Sequence, residues 1–261
     1  MALILGATKA RITNPDAVTI FIRPESLPAF NGRMIFRDSP ASIADVSASG
    51  MTGETSGSGV IWLPDGVQVN RLAGINLDKL PAATHSFYSV FRMIVSGATE
   101  FYPLHNFSAY ATPGPAGEAI TERTPRAASP EEYGALRYTN DAGAQGTLPS
   151  TADPDMARPA RGDFVFRMAV FDATNYQYRL YTGKGGTLTE DIVSAATDIA
   201  KRDLSRPFQV GINSTVSFTG LTSSGVVSEV GFFDDVALVA RQVAAVYESV
   251  RVEALERGIS V

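Results

Sequence analysis

The sequence predicts an all-β protein, a largely antiparallel β-sandwich that ends in a helix. Three observations predict it. Two segments, His85–Val95 and Phe164–Phe171, are apolar on both alternating faces, as strands buried between two layers are. Shorter runs of period-two alternation recur along the chain, separated by Gly, Pro, Asn and Asp. Only near the C-terminus does the apolar period change to a helical one, at Val239, Val243, Val246, Tyr247 and Val250.

Taken in order, Val18, Ile20 and Ile22 alternate as a first strand, and Pro24 and Pro28 end it. Asn31-Gly32 is a turn signal before a second strand through Met34 and Phe36. Residues 39–59 are small, polar and Gly-rich and read as a surface loop, or alternatively as a ligand-contacting loop. Residues 60–72 read as a hairpin turning at Pro64-Asp65-Gly66, with Trp62 at a strand end. In His85–Val95, Phe87, Phe91, Met93 and Val95 share one face, and Tyr88, Val90 and Ile94 the other. Residues 111–162 hold seven of the fifteen prolines and read as a Pro/Gly-rich insertion broken by one strand at Tyr133–Thr139.

After Phe164–Phe171, Asp172 to Asn175 makes a turn. Tyr176, Tyr178 and Leu180 then alternate towards a Gly183–Gly186 turn. Thr189–Lys201 reads as a helix with Thr189 as N-cap, or as an irregular connection. Phe208, Val210 and Ile212 share a face, and Val226, Val230 and Phe232 another. Asp234 or Asp235 is placed to cap the final helix, which runs on through Glu256 with Glu253 and Arg257 as an i,i+4 pair. Burying its five-residue stripe contributes on the order of 8–10 kcal/mol before chain entropy is subtracted. The whole chain, 1–261, reads as one domain.

Composition removes several function classes. The net charge is −5 with both signs interspersed, unlike a nucleic-acid binder or a polybasic membrane anchor. There are no cysteines and only two histidines, His85 and His105, so thiolate sites and an HExxH zinc helix are excluded. No 18-residue apolar run exists, which predicts no membrane insertion. The apolar run Ala2–Leu5 is too short for a signal-peptide core, so no export signal is expected. There is no G-x-S-x-G elbow, and Gly183 to Thr187 lacks the Walker spacing. Glu229 stands on a strand with Gly231 two places on, so it has no partner for two-carboxylate glycoside hydrolysis. A non-enzyme is the expected reading.

The stretch Phe164–Tyr247 resembles the C-terminal half of concanavalin A-like lectin and laminin-G-like jelly rolls, over about a third of the chain. The resemblance rests on FVFRMAVFD, ATNYQY and RLYTGKGG, then on Phe208 to Gly211, Phe218 to Gly220, Ser228 to Asp234 and Val243 to Tyr247. It implies a jelly-roll sandwich and a non-enzymatic structural or binding role. Members without export signals or disulfides are frequent in bacteriophage virions as tail, fibre, spike or capsid-decoration proteins. The partners so implied are other virion proteins, copies of the same chain in a homo-oligomer, and host surface polysaccharide. The implied place is the virion, assembled in the bacterial cytoplasm. The alternatives are a glycoside hydrolase or a free carbohydrate-binding module of the same superfamily.

For glycans, exposed aromatics beside amides are the candidates: Trp62, Tyr102, Asn106 and Tyr110, against ordinary packing. No resident cofactor is expected. Calcium is the one ion that the resemblance allows for, on Asp172, Asn175, Asp234 and Asp235, against solvated turns and a helix cap.

Overall fold

A computed structural model describes residues 27–70, 72–95, 100–106, 118–123, 134–139, 145–149, 163–175, 177–194, 204–211 and 223–261. Its strands are β1 Arg33–Ile35, β2 Gly53–Ser56, β3 Ile61–Leu63, β4 Gly66–Asn70, β5 Gly74–Leu77, β6 His85–Val95, β7 Glu100–His105 and β8 Ala119–Arg123. Then follow β9 Gly134–Thr139, β10 Gln145–Pro149, β11 Val165–Asp172, β12 Gln177–Lys184, β13 Thr187–Ser194, β14 Gln209–Val210 and β15 Ser223–Asp234. The helix α1 spans Ala240–Glu256.

The first sheet runs β13-β12-β11-β6-β15-β4-β3, with β1 also on β15; the second runs β10-β9-β8-β7-β14-β5-β2. The strand pairs are antiparallel. Between the sheets lies one core, in which Phe87, Phe91, Val230 and Phe232 of the first meet Ile75, Leu77, Phe208 and Val210 of the second. The Phe208 and Phe232 rings are 5.0 Å apart. On its other face the first sheet carries a second apolar cluster. There Tyr88, Phe166, Val170 and Phe233 pack against Val243, Val246, Tyr247, Val250 and Ala254 of α1. The architecture is therefore an all-β sandwich with a helix laid on one sheet. The two-faced apolar pattern of β6 and β11 follows from their place between the helix and the second sheet.

The hairpin at Pro64–Gly66, the central strands β6 and β11, the Asp172–Asn175 turn and the helix end at Glu256 stand where the sequence places them. Several details differ. Thr189–Lys201 is not a helix at its start: β13 runs to Ser194 and pairs with β12. Gly185 and Gly186, at φ 58° and 83°, turn the chain too tightly for anything but a hairpin there. Residues 195–201 lie outside the described ones. The loop at 39–59 contains a single 3-10 turn, Pro40–Ser42, and the edge strand β2. The 111–162 insertion contributes three strands, β8, β9 and β10, to the second sheet, where the sequence reads one. Val18, Ile20, Ile22, Tyr176 and Ile212 lie outside the described residues.

A bulge corrects the reading of β15. The register shifts between Val227 and Glu229. Before it β15 pairs with β4, and after it with β1. The extra residue inverts the alternation. Val226 therefore joins the helix-side cluster, while Val230 and Phe232 face the inter-sheet core.

The helix start also differs. Neither Asp234 nor Asp235 caps it, because the chain runs on to Val239 before turning helical. Ser86 holds that connection, its Oγ donating to the Val236 carbonyl (3.0 Å) and accepting the Leu238 amide (3.1 Å). The Val239 amide donates to the Gln242 side chain (3.0 Å). Val239 is 43% exposed, and the buried stripe extends at the other end to Ala254.

The i,i+4 pair Glu253–Arg257 is replaced by a cluster centred on Glu229, which is fully buried. Arg33 Nε donates to Glu229 Oε1 (2.8 Å), and Arg257 Nη2 to Oε2 (2.7 Å). The Tyr88 hydroxyl donates to Oε1 (2.6 Å). Arg33 also reaches Glu253 Oε2 (2.8 Å), and Arg257 reaches the Ser228 hydroxyl at the bulge (2.8 Å). Burial opposes the charge on Arg33, but Tyr88, Glu229 and Glu253 outweigh it and raise its pKa further. Burial, then Glu229, pushes the Tyr88 phenol well above its usual range. The cluster ties β1, β15 and α1 together.

Candidate ligand-binding face

The outer face of the second sheet is built differently. Asn76 lies between the buried Ile75 and Leu77, and Gln209 between the buried Phe208 and Val210. Alternation turns both amides away from the core. Register then aligns them: Glu54 of β2 pairs with Asn76 of β5, Asn76 with Gln209 of β14, and Gln209 with His105 of β7. The result is a polar row across four strands. Neighbouring members stand about 5 Å apart along the hydrogen-bonding direction.

Three members of the row, Glu54, Asn76 and Gln209, have free hydrogen-bonding capacity, while His105 is buried. Gln209 Nε2 donates to Asn76 Oδ1 (2.8 Å). This leaves the Asn76 amide NH2 as a donor and Gln209 Oε1 as an acceptor. The Glu54 carboxylate is exposed and makes no hydrogen bond or ion pair with another described residue. Acceptor, donor and acceptor thus follow one another on β2, β5 and β14.

The three side chains border a depression of about 560 Å³ that Thr52, Asp78 and Pro207 also line. Asp78 forms the ridge to a second depression of about 290 Å³, lined by Asn31, Ser49, Met51, Lys79 and Asp234 among others. The ridge is fixed. Asp78 Oδ1 accepts the Thr52 amide and Oδ2 the Thr52 hydroxyl, each at 2.7 Å. Lys79 pairs with Asp234. Behind Ser49 and Gly50 lies Asp45. It accepts hydrogen bonds from the Arg33, Ser47 and Gly50 amides and the Ser47 and Ser49 hydroxyls, at 2.6–3.0 Å. Desolvation opposes its ionisation, but the bonds from Ser47 and Ser49 outweigh it and hold the carboxyl well below the usual range.

The sequence-predicted residues fall as follows. Trp62 is half-buried on β3, at the edge of the first sheet, and packs against the inter-sheet core. Tyr102 and Asn106 lie on or just after β7, next to the polar row, and both are buried. Tyr102 meets His105 edge-on at 5.4 Å. Asn106 Oδ1 accepts the Glu118 amide (2.6 Å) and its Nδ2 donates to the Arg206 carbonyl (3.4 Å). Tyr110 lies outside the described residues.

Asp172 closes its own turn, Oδ1 accepting the Thr174 and Asn175 amides (3.1 and 3.0 Å) and Oδ2 the Asn175 side chain (2.7 Å). Burial opposes its ionisation, but these bonds and Arg179 lower its pKa. Asp234 lines the second depression, and Asp235 is exposed with φ 56°. Among the described residues no three His, Cys, Asp or Glu side chains are grouped to hold a metal ion.

Sequence reasoning did not single out Glu54, Asn76 and Gln209. The signal was present in Ile75-Asn76-Leu77 and Phe208-Gln209-Val210, where one polar residue interrupts a strand of core residues. Their alignment depends on the pairing of strands far apart in sequence.

Among the described residues two fully buried acids lie away from this face. Glu229 is locked by two arginines, as described. Glu118 Oε1 lies 2.5 Å from His85 Nε2, deep in the sandwich. The His85 ring is stacked on Phe87 and Phe171 at 5.5 and 5.2 Å.

No protein-family model matches the chain, and none of the curated proteins is significantly similar to it in sequence. Solved structures similar to it include botulinum neurotoxin type C, in a study of cell entry dependent upon interaction with two ganglioside molecules. There the TM-score is 0.59 at 11% identity, over 84% of this chain and 52% of that one. The binding domain of serotype D/C is similar at TM-score 0.59 and 10% identity, over 85% and 52% of the two chains. That of serotype D is similar at 0.54 and 12%, over 84% and 50%. The chain spans about half the length of these structures. At such identity the likeness is one of fold.

Proposed function

We propose that this chain is a non-enzymatic carbohydrate-binding β-sandwich that takes a glycan in the groove over Glu54, Asn76 and Gln209. The observation that carries this reading is the in-register row of unengaged acceptor, donor and acceptor groups bordering a depression on the open face. A sugar hydroxyl both donates and accepts. Alternating acceptor and donor groups on adjacent strands are therefore matched to neighbouring hydroxyls of one ring. The fold likeness to a toxin whose cell entry depends on gangliosides, which are sialylated glycolipids, supports glycan binding as such and not a particular sugar or charge. Against catalysis stands the state of Glu229, the acid of a central strand, which is closed off by Arg33 and Arg257. The test is a glycan array with the intact protein, followed by calorimetry on the strongest binder. Asn76→Ala with Gln209→Ala is expected to weaken that binder at least tenfold. An array without any binder overturns the reading.

The finer reading belongs to the same proposal. The sandwich is a concanavalin A-like jelly roll, one domain over 1–261. It serves as a tail, fibre, spike or capsid-decoration component of a bacteriophage virion and is assembled in the bacterial cytoplasm. There it touches other virion proteins, further copies of itself and host surface polysaccharide. The motif order from Phe164 to Tyr247 supports it. Light scattering of the purified chain tests self-association, and a monomer at all concentrations counts against it.

A further inference from the structure

We infer that the groove selects uncharged glycans and discriminates against sialylated or sulfated ones; this rests on the carbohydrate-binding reading and names its substrate class. The argument is the charge of the lining. Among the described residues the groove is lined by two carboxylates, Glu54 and Asp78, and no cation, and the neighbouring depression adds Asp234 against Lys79, which leaves two negative charges. Lys79 is already paired with Asp234, so its charge is compensated locally. Asp78 is held as an acceptor by both donors of Thr52, and Glu54 is unpaired. Asp45 adds a further anion behind the wall at Ser49 and Gly50. Arg206, beside Pro207, is not among the lining residues. The whole chain carries −5, so the long-range field repels anions as well.

Geometry agrees with charge. The unengaged groups of the row are suited to hydroxyls. Glu54 accepts, the Asn76 amide donates and Gln209 Oε1 accepts. A sialic acid carboxylate or a sulfate brings acceptors only and would face Glu54 and Gln209 with like polarity. Among the described lining residues the groove offers such an anion no unpaired cation.

The test prints neutral oligosaccharides beside their sialylated and sulfated derivatives and measures binding of the intact chain at low and high salt. Neutral members are expected to bind about fourfold tighter than their charged partners at low salt, as two net charges at nanometre range imply. The gap should narrow towards about 1 M NaCl, where the Debye length falls to about 3 Å. Glu54→Gln, on an exposed edge strand, should narrow the low-salt ratio of neutral to charged binding about twofold, whatever it does to the affinity for the neutral member itself. Equal or tighter binding of the sialylated members overturns the inference and leaves the carbohydrate reading standing. A gap that survives both salt and Glu54→Gln overturns its electrostatic cause. An array with no binder of either kind removes both.

Discussion

The two sheets turn opposite kinds of surface away from their shared core. The outer face of the first is apolar, roofed by α1 and pinned by the charges around Glu229. The outer face of the second, where it is described across β2, β5 and β14, carries carboxylate and amide groups over an open depression. The same rule of alternation produced both. Where both faces of a strand are apolar, as in β6 and β11, a second layer must cover it. Where polar residues punctuate the strand, as at Asn76 and Gln209, one face is left to water and to ligands. Changes on the covered face should therefore act on stability, and changes on the open face on binding.

The largest expected effect is on the covered face. Glu229→Gln keeps the shape of the side chain but leaves the guanidinium groups of Arg33 and Arg257 without their shared anion in a buried site. Breaking such a pair from one side costs about 3–5 kcal/mol. A urea titration should show the midpoint falling by that amount divided by the slope, with little change in the slope itself. An unchanged midpoint would mean that the cluster is solvated and the roof is held by apolar packing alone.

Next comes Asp45, between the two faces. Its carboxylate gathers amides and hydroxyls from Arg33 to Gly50, and Asp45→Ala should cost about 1–2 kcal/mol near neutral pH. The pH dependence has a definite sign. The folded-state pKa is depressed, so the stabilisation is complete above the unfolded value of about 4 and is lost as pH falls below it. Thermal melts of wild type and variant should therefore converge as the pH is lowered from about 5. A constant difference across that range would assign the loss to packing instead.

Tyr247 gives a smaller effect on the roof. Its hydroxyl accepts the Gly186 amide (3.0 Å) and its ring lies 5.3 Å from that of Phe166. Tyr247→Phe retains the ring and should lose only about 1 kcal/mol, read as a small fall in Tm. A loss several times larger would show that the hydroxyl anchors the β12–β13 turn as well as the helix.

How far these contrasts could be read from the sequence depends on whether the cause is local. The central strands, the Pro64–Gly66 hairpin and the inward stripe from Val243 to Val250 follow from period and turn chemistry within a dozen residues. The bulge at Ser228 does not. It arises where β15 exchanges β4 for β1, partners about 160 and almost 200 positions earlier, and it moved Val226 to the opposite face. Arg33, Glu229, Glu253 and Arg257 are likewise unremarkable until β1, β15 and α1 converge. Thr189 reads as a helix cap, yet the two glycines before it close a hairpin and its hydroxyl bonds the Thr182 carbonyl (3.3 Å). The candidate groove is illegible for the same reason as the bulge. Each of its polar residues is ordinary in its own strand, and only strand pairing aligns them.

The smallest effect on stability should come from the open face itself. Asn76→Ala removes an acceptor from Gln209 Nε2, which can turn to water because both residues are only half-buried. Gln209→Ala is similar, and Glu54→Gln touches no described partner. Each should change unfolding free energy by no more than about 0.5 kcal/mol, as surface substitutions away from packing do. Binding should move in the other direction, with the double variant Asn76→Ala, Gln209→Ala losing the array signal while its Tm stays near that of wild type. Glu229→Gln, if still folded at the assay temperature, should keep the array signal while its urea midpoint falls. If the groove variants were to unfold the protein, or if Glu229→Gln were to abolish binding without unfolding it, the division of labour between the faces would be wrong. The row over β2, β5 and β14 would then be part of the scaffold.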